Sequence, residues 1–332
     1  MESPYQLRYE PLADVDGLQV SRSPWGPDDV LGRLNWMTEE SRASALAQVD
    51  GARVFDLSVP YEMGMPCWEE AGDPKYDIWM THTPHGSVHD NLSGAGSNVH
   101  RVYSYAGSAI SMYSHAGTHL CSLTHFGHHG MFWNGITPES HLASRNWMIG
   151  GDIPPIVNTA ILLDVARTKG YDCLPDSYEI TADDIRETEQ AQNTPIETGD
   201  VVLVRTGRMS RWSDPQSFLR NPPGLGMSAA RYLCESAGAM CIGVDAGGEA
   251  IPSSIPDSFL PVHCYLLATA GTPIFENMML EEIAVERVHS LVLVAAPLRL
   301  KGSTGLPTRP LAFRRLTDKM MSKSPRPLPD PL

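Results

Sequence analysis

Between Tyr113 and Gly135 the chain reads Tyr-Ser-His-Ala-Gly-Thr-His-Leu-Cys-Ser-Leu-Thr-His-Phe-Gly-His-His-Gly-Met-Phe-Trp-Asn-Gly. His115, His119, Cys121 and His125 stand close together, with His128 and His129 just behind, and ten of the twelve histidines fall between His82 and His141. Imidazole and thiolate are ligands suited to zinc, and an imidazole left free of metal suits acid–base work near neutral pH. Two histidines four apart can share a helix face, but a helix would turn Cys121 about 200° away from His119. An extended chain instead sets His115, Gly117, His119, Cys121, Leu123 and His125 on one side. In a straight strand His115 and His119 would be ~13 Å apart, too far for one ion with ligand bonds of ~2 Å. Gly117 lets the backbone bend and bring them together. The spacing predicts a strand ending in a turn, with a short helix from about Leu120.

The elements that must carry this stretch are legible in part. Residues 1–37 are polar and proline-dotted, with a turn at Trp25-Gly-Pro-Asp-Asp. Thr38 caps a helix with Glu39 and Glu40 in its first turn and Ala43, Leu46 and Ala47 as its inner face. Phe55, Leu57 and Val59 alternate as a strand ending at Pro60. Met63–Trp68 is a loop, and residues 69–100 read as a long connection rich in Gly, Pro and His, of the kind that forms functional lids. Strands are expected at Val102–Tyr105 and Ala109–Tyr113. An ordinary α/β pattern follows. Buried strands are expected at Ala160–Val165, Val201–Arg205, Met240–Val244 and Leu291–Ala295. A capping box at Thr181 and Asp184 opens a helix to about Gln192. A polar excursion runs from Arg208 to Pro223. Ser228 caps a helix stopped by Gly238, and Pro261 opens another closed by Gly271. Pro273–Phe275 leads directly to Glu276.

Composition narrows the function. With 332 residues, 42% of them hydrophobic, the chain can bury a sizeable core. A net charge of −14 argues against nucleic acid and anionic membrane surfaces as partners. No apolar run approaches the ~18 residues of a membrane span, and the polar start lacks the basic-then-apolar pattern of a signal peptide. The six cysteines show no paired spacing. A cytoplasmic, soluble globular protein acting on a small molecule is expected. Its three parts are an N-terminal extension with a helix (1–50), a catalytic domain (51–316) and a Pro-rich tail (317–332).

His-x-Gly-Thr-His, a later histidine and then Trp-Asn-Gly resemble the signature of the metal-dependent cyclase/hydrolase family, which includes kynurenine formamidases, isatin hydrolase and a dienelactone hydrolase. His115, Gly117, Thr118, His119 and His125 match the pattern, but Cys121 stands where the family has a metal-binding aspartate. The run from His263 to Glu276-Asn277 resembles the family's second ligand segment, Asp245 its preceding aspartate, and Gly302–Arg309 its closing glycine turn. The resemblance spans Phe55 to Phe313. It implies an α/β fold with a mixed β-sheet or barrel core and flanking helices, of the swivelling β/α/β type. It also implies a homo-oligomer, dimeric or tetrameric, and a divalent metal, zinc or manganese. His115, His119, Cys121, His263 and Glu276 would be the ligands, His125 and Glu276 the catalytic residues, and Trp68, Phe126, Trp133 and Asp245 the substrate-side residues.

The implied activity is opening of an amide or lactone C–N or C–O bond. Cys121 leaves several readings open: a zinc ligand beside His115 and His119, a bystander to an ion held by His115, His119 and one or both of His263 and Glu276, a nucleophile, or the mark of a metal-free cyclase, isomerase or dehydratase using His125 for proton transfer. A silent binder on the same scaffold would not need His125 beside His263 and Glu276.

Overall fold

The structure, a computed structural model, describes residues 10–15, 18–91, 94–145 and 147–316. The expected tail at 317–332 and residues 1–9 lie outside them. Nine strands form one mixed sheet: β1 (Val49–Asp56), β2 (His119–Cys121), β3 (Ile156–Asp164), β4 (Val201–Arg205), β5 (Cys241–Val244), β6 (Ile274–Glu276), β7 (Ser290–Ala295), β8 (Gly305–Pro307) and β9 (Leu311–Arg315). Their order is β8-β2-β6-β5-β4-β3-β7-β9-β1. The four middle strands β6, β5, β4 and β3 run parallel, and the others join antiparallel on either side. The fold is therefore the mixed α/β class expected, with a curled sheet left open between β8 and β1.

Alternation within the middle strands builds a core on each face. Val202, Val204, Ile242 and Val244 face one core with Ile185, Leu233 and Leu266 from the covering helices. Val201, Leu203 and Cys241 face the other with Leu34, Phe55 and Leu291. The helix expected after Thr181 spans Ala182–Gln192 with its capping box formed, and β4 has the predicted bounds. Leu260 precedes the helix Pro261–Cys264, which continues as a wider turn through Thr269.

Several local expectations are corrected. Leu120 sits in strand β2, not at the start of a helix, because β6 and β8 pair with it on both sides. The connection at 69–100 is built rather than loose. Asp77–His82 pairs with Gly107–Ser111 as a two-stranded ribbon, and helices cover Pro84–Asp90 and Ser97–His100. Residues 102–105 are not a strand. The helix Glu39–Ala47 is capped by Thr38 as expected, but its buried residue is Ala45, and Leu46 is 53% exposed. The helix at Met227–Arg231 starts from Gly226, while the Ser228 hydroxyl accepts the Ala182 N–H.

The segment before β1 is built into the same core. Leu34 and Met37 are buried there, and the buried Arg33 guanidinium donates to the carbonyls of Ala270, Cys234 and Ala239 at 3.0, 2.8 and 3.3 Å. Those three carbonyls lie at the C-terminal ends of the helical segments around residues 234 and 270, where orphan acceptors need donors. Arg33→Met keeps the apolar stem and removes the donors. Urea unfolding of this variant is expected to show a loss on the order of 3 kcal/mol, since each buried acceptor left unpaired costs ~1–3 kcal/mol. An unchanged midpoint would show that the three bonds contribute nothing net.

Candidate functional site

The bend expected at Gly117 is present. Gly117 has φ +62°, and a Cβ there would lie 2.8 Å from the Tyr61 ring, so both the turn and the packing call for glycine. The bend brings the rings of His115 and His119 to 4.9 Å between centroids, in place of the straight-strand separation. Beyond it, β2 puts His119 and Cys121 on one face, and its register with β6 places Glu276 directly opposite His119. On the other edge, Gly305 of β8 lies against His115, where a Cβ would come within 2.6 Å of the ring.

The polar atoms converge on the Cys121 sulfur, which is fully buried. It lies 3.4 Å from His115 Nδ1 and 3.3 Å from His119 Nε2. His119 Nδ1 sits 2.9 Å from the Gly117 carbonyl, which only accepts, so that nitrogen carries a proton. His119 Nε2 faces Glu276 Oε2 at 3.1 Å, where a proton on the ring donates to the carboxylate and a cation could take that proton's place. Two donor groups, His119–Cys121–Glu276 and His115–Cys121–His125, each have ligand atoms within 4.8 Å of one another, and Cys121 belongs to both. The chemistry of this set fits a cation. Nitrogen, sulfur and carboxylate oxygen at these spacings suit tetrahedral zinc.

His263 stands on the far side of Glu276. Its Nδ1 is 2.6 Å from Glu249 Oε2 and its Nε2 is 2.7 Å from Glu276 Oε1. Burial opposes charge on this ring, yet the bonds to Glu249 and Glu276 outweigh it and raise its pKa to about 10. Both ring nitrogens thus face carboxylates, and His263 clamps Glu276. Glu249 also accepts the backbone N–H groups of Val262 and His263. Burial works against the Glu276 carboxylate, but His119 and His263 hold its pKa well below the usual range. Burial, then the Glu276 charge, pushes the Cys121 thiol well above its ordinary value. Glu249 and Glu276 thus place two carboxylates about the His263 ring, beside the buried donor atoms of His119 and Cys121.

The site opens into a cavity of about 490 Å³. His115, His125, His263 and Glu276 form its polar floor, and Pro66, Trp68, Phe126, Phe218, Leu219, Ile251 and Phe259 give it apolar walls. His119 and Cys121 lie beneath that floor. His125 stacks on His115 with centroids 3.6 Å apart, and takes no side-chain hydrogen bond among the described residues. Burial, then the charge on His263, lowers its pKa to about 3, so it is neutral at physiological pH. Trp68 and Phe126 line the cavity as expected, and part of the 208–223 excursion does too. Trp133 does not. It is fully buried against Gly271 and donates its indole N–H to Asp29. Asp245 is also outside the cavity. It accepts from Thr206 N and Oγ1 and from Gly207 N, and burial raises its pKa to about 6. Both are corrected to structural roles. The loop histidines His82, His85, His89 and His100 line no part of the cavity. Sequence reasoning missed Glu249 and Thr304, whose hydroxyl lies 2.9 Å from His115 Nε2. The only signal for Glu249 was an acid placed directly after Gly247-Gly248.

Comparison with known proteins places this geometry. The sequence profile of the Cyclase family matches residues 55–248. An isatin hydrolase from Roseibium aggregatum is 28% identical over 175 residues, a stretch that is 49% of this chain and 61% of that enzyme, so the match spans less than two thirds of the relative. The crystal structure of a protein described as a novel cyclase superposes with a TM-score of 0.75 at 25% identity, covering 87% of this chain and 97% of the other. A protein from Bacillus stearothermophilus described as a predicted metal-dependent hydrolase has the same fold, with a TM-score of 0.50 at 22% identity over 79% of this chain and 98% of its own. No described helix is long and apolar enough to cross a membrane.

The clamp has a pH signature in chelator-treated protein. The folded-state pKa of His263 lies above its unfolded value of ~6.5, so its contribution to stability is complete below that pH. It is lost as pH rises toward about 10. Melting temperature should therefore fall across this window in the wild type, and His263→Gln should flatten that part of the profile. Equal slopes in both proteins would remove the clamp.

Proposed function

The chain belongs to the Cyclase family, and we propose that it is a hydrolase opening a C–N or C–O bond of a small neutral cyclic amide or lactone, with one zinc ion. The observation that carries this is the buried meeting of His119 Nε2, Cys121 Sγ and Glu276 Oε2 directly under an apolar cavity. Those three residues would hold the ion, with His115 beside them. When bound, zinc polarises a carbonyl and lowers the pKa of water at the site to ~7.

The remaining roles fall to the chain's own residues. His125 is neutral and borders the cavity, so its lone pair can accept a proton from water and return it to the leaving nitrogen or oxygen. The stack on His115 and the edge contact with Phe126, at 4.5 Å, hold its ring in place. The His263 clamp fixes Glu276, so that one of its oxygens faces His119. Phe126, Phe218 and Phe259 exclude water and suit a flat, apolar substrate. Glu70 and Asp73 at the cavity wall disfavour an anionic substrate and would repel the carboxylate product. The isatin hydrolase relative acts, by its name, on a cyclic amide of this class.

Elemental analysis tests the metal. The wild type is expected to carry near-stoichiometric zinc and Cys121→Ser to lose most of it. Metal-free wild type that regains metal in Cys121→Asp would overturn this and point to a proton-transfer cyclase or isomerase. On a panel of cyclic amides and lactones, His125→Ala should lower kcat/KM by about 10²–10⁴ with zinc content unchanged. Isotopic oxygen from water should appear in the product. Turnover indifferent to His125 would sink its assignment as the base.

A further inference from the structure

The cavity wall beside His115 carries two polar groups that the proposed chemistry does not use, the Asp73 carboxylate and the Tyr113 hydroxyl. Their backbones are fixed. The Trp68 carbonyl accepts the Ala71 and Asp73 N–H groups at 2.9 and 3.4 Å. The Cys67 thiol donates to the Pro74 carbonyl at 3.5 Å, and Tyr113 N donates to the same carbonyl at 3.0 Å. Asp73 is half-buried, and neither its carboxylate nor the Tyr113 hydroxyl takes a hydrogen bond or ion pair among the described residues. No Lys or Arg lines the cavity. Burial pushes the Asp73 pKa up, and no donor or cation pulls it back. The Asp73 charge reaches the Tyr113 phenol, yet no hydrogen bond joins the two. Polar groups in such places are ordinarily paired, and a ligand that displaced their water without replacing it would bind at a cost.

We propose that Asp73 and Tyr113 together bind a hydroxyl group on the substrate and so set its specificity. The inference rests on the cavity being the substrate site. A carboxylate only accepts, and a phenol has one proton to donate. A substrate hydroxyl is the complement of that pair, because it gives its proton to Asp73 and takes the Tyr113 proton on its oxygen. A methyl ether answers only the phenol and leaves Asp73 desolvated and unpaired. A carbonyl has no proton for Asp73, and an anion meets its charge. An ammonium group satisfies Asp73 but offers the phenol no acceptor. The Tyr113 ring lies 5.1 Å from the His115 ring, which stacks on His125. A hydroxyl held here therefore turns the rest of the substrate toward the proposed base.

Calorimetric binding to full-length His125→Ala tests this without turnover. The probes are benzo-fused cyclic amides and lactones with one hydroxyl at each ring position in turn, and their methyl ethers. At one position the hydroxyl compound should bind about 10–100-fold tighter than its ether. Asp73→Leu and Tyr113→Phe, added to His125→Ala, should each cut that ratio by about tenfold, with the circular dichroism spectrum retained. Asp73→Asn should keep part of it through the amide oxygen. Asp77→Asn removes a like charge from an exposed position outside the cavity and should leave the ratio unchanged. Equal binding of hydroxyl and ether at every position, or a ratio that survives Asp73→Leu, would overturn the proposal. So would a larger gain from an ammonium substituent that depends on Asp73 and not on Tyr113, which would assign the wall to a cation. Failure of the hydrolase reading shows separately, as a wild type that hydrolyses none of these compounds while the binding ratio persists.

Discussion

Strand β2 is three residues long, and the register of its pairing with β6 decides the geometry of the site. His119 lies opposite Glu276, and Cys121 lies opposite Ile274 on one edge and Gly305 on the other. A slip of one residue would turn His119 and Cys121 to the far face and bring Leu120 out of its core. What prevents the slip is a set of bonds at the strand's entry. The Thr118 hydroxyl accepts the Val59 N–H at 2.9 Å and donates to the Asn277 carbonyl at 2.7 Å, while the Asn277 amide returns to the Gly117 carbonyl at 3.0 Å. Gly117, Thr118 and Asn277 thus fix a register that one short strand could not hold alone.

Buried charge elsewhere in the fold is managed by pairing. Arg205 joins Asp164 and Glu281, each at 2.8 Å, and the fully buried Arg208 donates to Asp176 and to the carbonyl of Phe218 in the cavity wall. Asp245 takes three donors from Thr206 and Gly207. These groups hold strand ends and loops. The Glu249–His263–Glu276 group differs in its place: it lies where His119 Nε2 and the Cys121 sulfur also converge, at the cavity floor.

The residues whose chemistry depends on local spacing were legible in the sequence. The bend at Gly117, the shared face of His119 and Cys121, the capping box at Thr181 and the buried strand Val201–Arg205 all follow from period, φ and capping rules that act within a few residues. What depends on partners far along the chain was not legible. Leu120 reads as a helix start until β6 and β8 are seen to claim its backbone. Trp133 and Asp245 sit in segments that resemble a pocket, yet Asp29 and the Thr206 turn draw their polar atoms inward. Glu249 is invisible as a partner until the 261–264 helix turns His263 toward it. The first strand of the ribbon, Asp77–His82, reads as loop because it lies in a stretch rich in Gly, Pro and His, whereas the second, Gly107–Ser111, overlaps the strand expected at Ala109–Tyr113.

The sulfur at position 121 and the two carboxylates around His263 both bear on the proposal of a single ion. A carboxylate can offer separate oxygens to two ions, whereas a thiolate offers one atom that favours a single, softer ion. A second ion would need a nitrogen lone pair from His263, and Glu249 and Glu276 already engage both of its ring nitrogens. Freeing that nitrogen would take a proton from a ring that the two carboxylates hold charged, and would leave Glu249 buried without its partner. The donors of the proposed ion are then His119, Cys121 and Glu276, and His115 stays beside them, next to the Thr304 hydroxyl and stacked on His125. Sulfur at position 121 and the His263 clamp are thus both compatible with the single ion proposed.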